Sequence, residues 1–459
     1  MIADLVVRGG TVVTPEAMWR GGVAVRDGRI VAIDRDDALP QARETFDAAG
    51  LHVLPGVIDT HVHLRDPGVL EREDWLTGTR AAAAGGLTTI LEMPIANPPV
   101  NAAAILRERA TVVGPRSLVD FALYAGASHD NLEEIAAMAE AGAIAFKTFR
   151  TDPVPGRAAE FVGISCPDAG QMLEVMGRTA RTGLLHVVHA EDQQILNVTI
   201  SHARATGRRD GRAHALSRPP VAETCSVSQC IALAAATGAR LQIAHVSAPE
   251  AAQLVGAAKE RGLPVTAETC PHYLMLTEDT LETWGPYAKC NPPLRPREMQ
   301  DRLWEAVAKG YIDVIGTDHS PFLVSEKGPV DGDIWDAPPG IPGLEEFLPL
   351  MLTATRQGRL ALPALVRLVC ENPARLFGLW PRKGGLSVGA DGDLTVVDLA
   401  AEYIHDHTRL YTKARDSALC YDGLRMRGRP VLTVVRGQIV MRRGDVLGEP
   451  GWGRWVRPA

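Results

Sequence analysis

Eight short apolar runs recur through the middle of the chain, at 53–59, 87–92, 118–124, 143–149, 184–189, 241–245, 263–268 and 312–317. Between them lie Ala-rich amphipathic stretches such as Leu132-Glu133-Glu134-Ile135-Ala136-Ala137-Met138-Ala139, where Leu132, Ile135 and Met138 share a helical face. Strand and helix patterns in alternation mark repeated βα units, which bury a parallel sheet beneath helices. Eight strands are the number that closes such a sheet into a (β/α)8 TIM-like barrel, the fold predicted for 51–384. An open, doubly wound sheet is the competing arrangement of the same units.

Both ends of the chain have another texture. Asp4-Leu5-Val6-Val7-Arg8 and Gly22-Val23-Ala24-Val25 alternate, with turns at Gly9-Gly10 and Asp27-Gly28, and Leu394-Thr395-Val396-Val397 and Pro430-Val431-Leu432-Thr433-Val434-Val435 repeat the pattern near the other end. Residues 1–50 and 385–459 are therefore predicted to form one discontinuous β domain, a small β-sandwich.

At 459 residues and 46% hydrophobic, the chain is long enough for a large core. Its 48 basic and 55 acidic residues leave a net charge of −7 with no long basic run, which disfavours nucleic acid and anionic membranes as partners. Seven scattered cysteines without a C-x-x-C pair suggest neither a disulfide framework nor a zinc knuckle, so a reducing cytoplasm is expected. No signal-peptide pattern opens the chain, and no apolar window reaches the ~18 residues of a membrane span.

Barrels of this kind carry their chemistry at the carboxyl ends of the strands. Strand 1 ends with His61 and His63, strand 4 carries Lys147, strand 5 ends with His189, strand 6 with His245 and strand 8 with Asp318. Taken alone, the His61/His63 pair also suits one core histidine and one loop cap, and Lys147 alone suits a lysine whose head reaches solvent. Together the residues suit a two-metal hydrolytic centre, with zinc, or manganese, cobalt or iron, as the ion. A buried ammonium is costly and binds no cation. Carboxylation of Lys147 by CO2 makes it an anionic carbamate able to bridge two divalent metal ions.

The chain resembles the cyclic amidohydrolases: dihydroorotase, allantoinase and the hydantoinases. The resemblance is carried by Gly56-Val57-Ile58-Asp59-Thr60-His61-Val62-His63-Leu64-Arg65-Asp66-Pro67-Gly68, Phe146-Lys147-Thr148-Phe149, His189-Ala190-Glu191, His245-Val246-Ser247, Cys270-Pro271-His272-Tyr273, Asn291-Pro292-Pro293-Leu294-Arg295 and Thr317-Asp318-His319-Ser320-Pro321. It implies that His61, His63 and Asp318 hold one metal, His189 and His245 the other, and carboxylated Lys147 both. It also implies a homodimer or homotetramer acting on a small cyclic amide or ureide. In the mechanism so implied, a metal-bridging hydroxide attacks the ring carbonyl and Asp318 is the general base that returns the proton to the ring nitrogen.

The identity of the ring is divided among signals. Arg65 and Asn291 match a dihydroorotase pattern that binds a substrate carboxylate, yet Ile95 and Phe322 stand where that pattern has asparagine and histidine. Allantoinase is supported by Glu92-Met93-Pro94 and Asp318-His319-Ser320-Pro321 but not by Arg65. Hydantoinases carry a tyrosine soon after the lysine, and here Arg150, Thr151 and Asp152 follow, which disfavours that subgroup. Arg150 is expected to supplement Arg65 as a substrate clamp, because a planar guanidinium offers paired donors. Residues 151–157 and 327–343 are expected to loop over the barrel mouth as lids. Rival classes are a zinc deaminase with one metal and a metal-free scaffold; Lys147 argues against the first and the full ligand set against the second.

Overall fold

A computed structural model of the protein describes residues 2–458. Eight parallel strands form its centre: strand 1, Val57–Val62; strand 2, Leu87–Glu92; strand 3, Asp120–Leu123; strand 4, Phe146–Phe149; strand 5, His186–His189; strand 6, Leu241–Ile243; strand 7, Val265–Thr269; and strand 8, Val314–Ile315. Strands 1 to 3 and 4 to 8 pair consecutively. Two seams close the ring. Ala125–Gly126 continues strand 3 and pairs with strand 4, and a Val62–His319 bridge joins strand 1 to the residues after strand 8.

Helices follow the strands and are started by side-chain caps where the sequence supplies them. Asp74 before Trp75–Ala84 and Asp192 before Gln193–Ala205 accept hydrogen bonds from N–H groups that the helix leaves free. Inside, Leu91, Ala122 and Val187 from strands 2, 3 and 5, with Ala145 just before strand 4 and Ala244 just after strand 6, share one apolar cluster with Phe377 and Leu379, which follow the last barrel helix. Burying such side chains contributes about 1.5–3 kcal/mol for each leucine or phenylalanine.

The terminal segments combine in a nine-stranded sheet. Leu5, Val7, Val23, Phe46, Val53, Leu394, Val396 and Val434 build its own apolar core. One expectation is corrected here. The run 53–59 is not a single strand: His52–Pro55 pairs with Thr11 and Val12 and with Leu394–Val397 in the terminal sheet, and the barrel begins only at Val57. Gly56 is the joint, where a Cβ would stand 2.3 Å from Thr88 Oγ1 and 2.7 Å from Asp393 Cβ. The terminal sheet thus reaches past residue 50, and an unbroken apolar run hid the change of sheet.

Candidate metal centre

At the carboxyl end of the barrel, Asp318 Oδ1 lies 3.2 Å from His61 Nε2 and 3.1 Å from His63 Nε2. These three residues form a group whose ligand atoms lie close enough to share one ion. A second group stands beside it: His189 Nδ1 is 3.0 Å from His245 Nε2, and the His245 ring centroid is 5.3 Å from that of His61. Lys147 is fully buried, with its Nζ unpartnered among the described residues and 4.9 Å from the Phe149 ring, which itself stacks on His189. All six ligand candidates face one end of the barrel, at and below the floor of one cavity.

Several site residues hold backbone geometry that side chains avoid. Among the described residues, six non-glycine residues have left-handed φ, and three of them are Arg65 (57°), His245 (38°) and Asp318 (49°). Each such residue costs roughly 1–3 kcal/mol, which the surrounding structure must offset. The turn re-aims His245 and Asp318 as their strands end. Gly316 makes the turn after strand 8 possible, since a Cβ there would lie 2.7 Å from Thr60 Oγ1. A register shift in strand 1 between Asp59 and Val62 does the same for the histidine pair.

The arrangement asks for cations. Buried Glu268, at strand 7, is 2.7 Å from His61 Nδ1 and fixes the proton there, so the His61 Nε2 lone pair faces the Asp318 oxygen. Glu191 likewise bonds His189 Nε2 at 2.8 Å, which turns the Nδ1 lone pair toward His245. A proton would satisfy one such pair, whereas a divalent ion satisfies three converging donors at once. Nitrogen and carboxylate donors of this kind fit zinc and its neighbours. Glu268 was not singled out in the sequence, although an acidic residue inside the apolar run 263–268 was a visible signal, and Glu191 was quoted only within the motif His189-Ala190-Glu191, with no role given to it.

Burial sets the protonation states. It pushes His63 down to about 3, and lowers His189 and His245, so their lone pairs are free near neutrality. Burial likewise brings the Lys147 amine down to about 8, although Glu268 and Asp318 pull it up. Burial also raises the Asp318 carboxyl, but the surrounding His61, His63 and His245 outweigh it and hold the group well below the usual carboxylate range.

A cavity of about 790 Å³ opens above these groups. Arg65 and Asn291 line it as expected. Arg65 is held by its backbone N–H on Glu92 and by Nη2 on Ser320 Oγ at 2.6 Å, and Asn291 Oδ1 is buried without a partner among the described residues. Arg150 is corrected. It does not line the cavity, because its Nη1 and Nη2 are engaged by the Cys166 carbonyl at 2.9 Å and Gln229 Oε1 at 3.0 Å. Thr151–Arg157 and Trp335–Gly340 roof the mouth. The second roof segment is fastened by two buried ammonium groups: Lys289 Nζ bonds the carbonyls of Ile334 and Ala337, and Lys327 Nζ those of Pro338 and Gly340.

Residues 52–440 match the Amidohydrolase family. The chain belongs to that family. It is 38% identical to an allantoinase of Deinococcus radiodurans, over 100% of this chain and 99% of that one, and 38% identical to a dihydroorotase of Methanothermobacter thermautotrophicus, over 95% and 93%. The solved L-hydantoinase (dihydropyrimidinase) from Arthrobacter aurescens superposes with a TM-score of 0.95 at 38% identity, covering 99% of this chain and 100% of that one. Three differently named family members thus share the same 38% identity with this chain, and percentage identity does not choose among them. The missing tyrosine after Lys147 does not remove hydantoinase from the set. No helix among the described residues is long and apolar enough to cross a membrane.

Proposed function

We propose that this family member hydrolyses a cyclic amide or ureide, opening the ring at a carbonyl carbon. The observation that carries the reading is a fully buried Lys147 Nζ, unpartnered among the described residues, beside four histidines and Asp318, an arrangement that costs stability unless chemistry uses it. His61, His63 and Asp318 would hold one divalent ion, zinc being the first choice, and His189 and His245 a second. Lys147 would reach both as a carbamate: the neutral amine adds to CO2, an N–C bond forms as one C–O π bond breaks, a proton leaves, and one negative charge is shared over two oxygens. Such ions supply an acidified water and polarise the ring carbonyl.

The chain's own groups do the rest. Asp318 carries the proton, taking it from the attacking water and returning it to the ring nitrogen as the C–N bond breaks. Glu268 and Glu191 keep the histidine lone pairs aimed, Arg65 and Asn291 meet the substrate, and the roof segments exclude water. Seven unpaired thiols suit a reducing compartment, so the cytoplasm is the proposed location and a homodimer or homotetramer the proposed assembly. The test is turnover by purified, metal-loaded protein of dihydroorotate, allantoin, hydantoins, dihydrouracil and simple cyclic imides, together with metal counting. About two ions per chain and opening of at least one ring support the proposal; one ion points to a deaminase, and none to a scaffold.

A further inference from the structure

The seam between strands 8 and 1 is the least regular part of the barrel, and one group of ligand candidates straddles it. Strand 8 pairs with strand 7 but makes no ladder with strand 1 among the described residues. Past the end of strand 8 a bridge joins Val62 to His319, with the His63 N–H on the His319 carbonyl at 2.9 Å. His61 and His63 stand on one side of this seam and Asp318 on the other. Asp318 Oδ1 nonetheless lies 3.2 and 3.1 Å from the His61 and His63 Nε2 atoms, a spacing that regular strand pairing does not supply.

Asp59 spans the gap. It is fully buried; its Oδ1 accepts from the His61 N–H at 3.1 Å and the Thr317 N–H at 3.0 Å, and its Oδ2 from the Thr317 hydroxyl at 2.7 Å. One side chain thus does across the seam what ladder carbonyls do elsewhere in the sheet. Thr317 Oγ1 also lies 3.1 Å from the His61 carbonyl and accepts from the His319 N–H at 2.9 Å. Thr317 is therefore gripped just before the left-handed turn at Asp318, a conformation that persists only where its surroundings impose it. Asp59 itself belongs to neither ligand group and does not line the cavity. It acts only through the residues it holds.

We infer that Asp59 is a positioning residue for the metal centre: its carboxylate ties the main chain of His61 to that of Thr317 and so sets the distance between the histidine pair and Asp318. The seam needs acceptors at fixed points and not a charge, because the donors are two main-chain N–H groups and one hydroxyl. Asparagine meets that need. Its carbonyl oxygen takes both N–H groups, its NH2 donates to Thr317 Oγ1, and the hydroxyl proton turns to the His61 carbonyl. Alanine instead leaves two buried N–H groups unpaired, and the seam shifts to satisfy them. The inference rests on the two-ion reading above, but its test does not use turnover.

The experiment is zinc titration of the whole chain in competition with a chromophoric chelator, with zinc counted per folded molecule. Wild type is expected to hold two ions. In Asp59→Ala one ion should weaken by about 10–100-fold while the other stays within about threefold, since His189 and His245 stand off the seam. Asp59→Asn should bring the weakened ion back to within about threefold of wild type. Thr317→Val removes one arm and should weaken the same ion about fivefold, the worth of one hydrogen bond, which keeps the inference testable should Asp59→Ala fail to fold. A residue that only stabilises the fold would lower the melting temperature of these variants and leave both zinc affinities unchanged. That outcome overturns the inference, as does an asparagine variant as weak as the alanine one, an unchanged Thr317→Val, or a wild type that takes up no zinc. Failure of the ring-opening reading would appear separately, as absence of turnover on every ring with both ions held and this order of affinities intact.

Discussion

Lys383 and Lys147 are buried to nearly the same degree, at 1% and 0% exposure, and the molecule treats them in opposite ways. Lys383 Nζ lies 2.6 Å from Asp120, 2.6 Å from Asp393 and 3.1 Å from Asp391, so the amino end of strand 3 and the terminal sheet are locked around one ammonium. Those three aspartates have the spacing of a metal group, but the lysine already fills it. Lys147 Nζ, from the second residue of strand 4, has no hydrogen-bond partner among the described residues. Burial and residue type therefore do not separate a structural lysine from a reactive one. Partner count does, because a buried amine with no directly bonded counter-charge has its pKa lowered, which makes the neutral, nucleophilic form easier to reach.

The contrast is tested hardest at its reactive end. Lys147→Ala should lower kcat on the accepted ring by on the order of 10³-fold and reduce bound metal from about two ions per chain to one or fewer, with little loss of thermal stability. A variant that keeps both ions and most of its rate would make Lys147 an ordinary buried lysine. At the other end, Lys383→Met leaves three carboxylates facing one another, and urea unfolding should show a loss of about 3–5 kcal/mol with kcat per folded molecule unchanged. Unaltered stability there would show that the cluster does not hold the two parts together.

Smaller effects sharpen the same comparison. Glu268→Gln loosens His61 and should weaken metal binding by about 10–100-fold in competition with a chelator, with His61 itself intact. With the Lys147 amine near 8, lowering the pH protonates it and withdraws the form that reacts with CO2. At a fixed concentration of dissolved CO2, reactivation of stripped enzyme should therefore be roughly fiftyfold slower at pH 6 than at pH 8, and a pH-independent rate under that condition would argue against a carbamate. Arg150→Ala should leave kcat/KM within about twofold while costing about 1 kcal/mol of stability, since its hydrogen bonds are made outside the cavity.

Local periodicity and strand-end position, both properties of short sequence windows, were enough to mark eight βα units, the terminal β segments, and His61, His63, Lys147, His189, His245 and Asp318 as one set. Relations between distant windows were not legible in this way. Only the folded chain breaks the run 53–59 at Gly56, brings Glu268 to His61, turns Arg150 toward Gln229, and brings Arg72 to the Arg157–Glu160 pair. Each of these depends on which strands become neighbours and on a φ angle or a bulge that re-aims one side chain, quantities that no single stretch of residues contains.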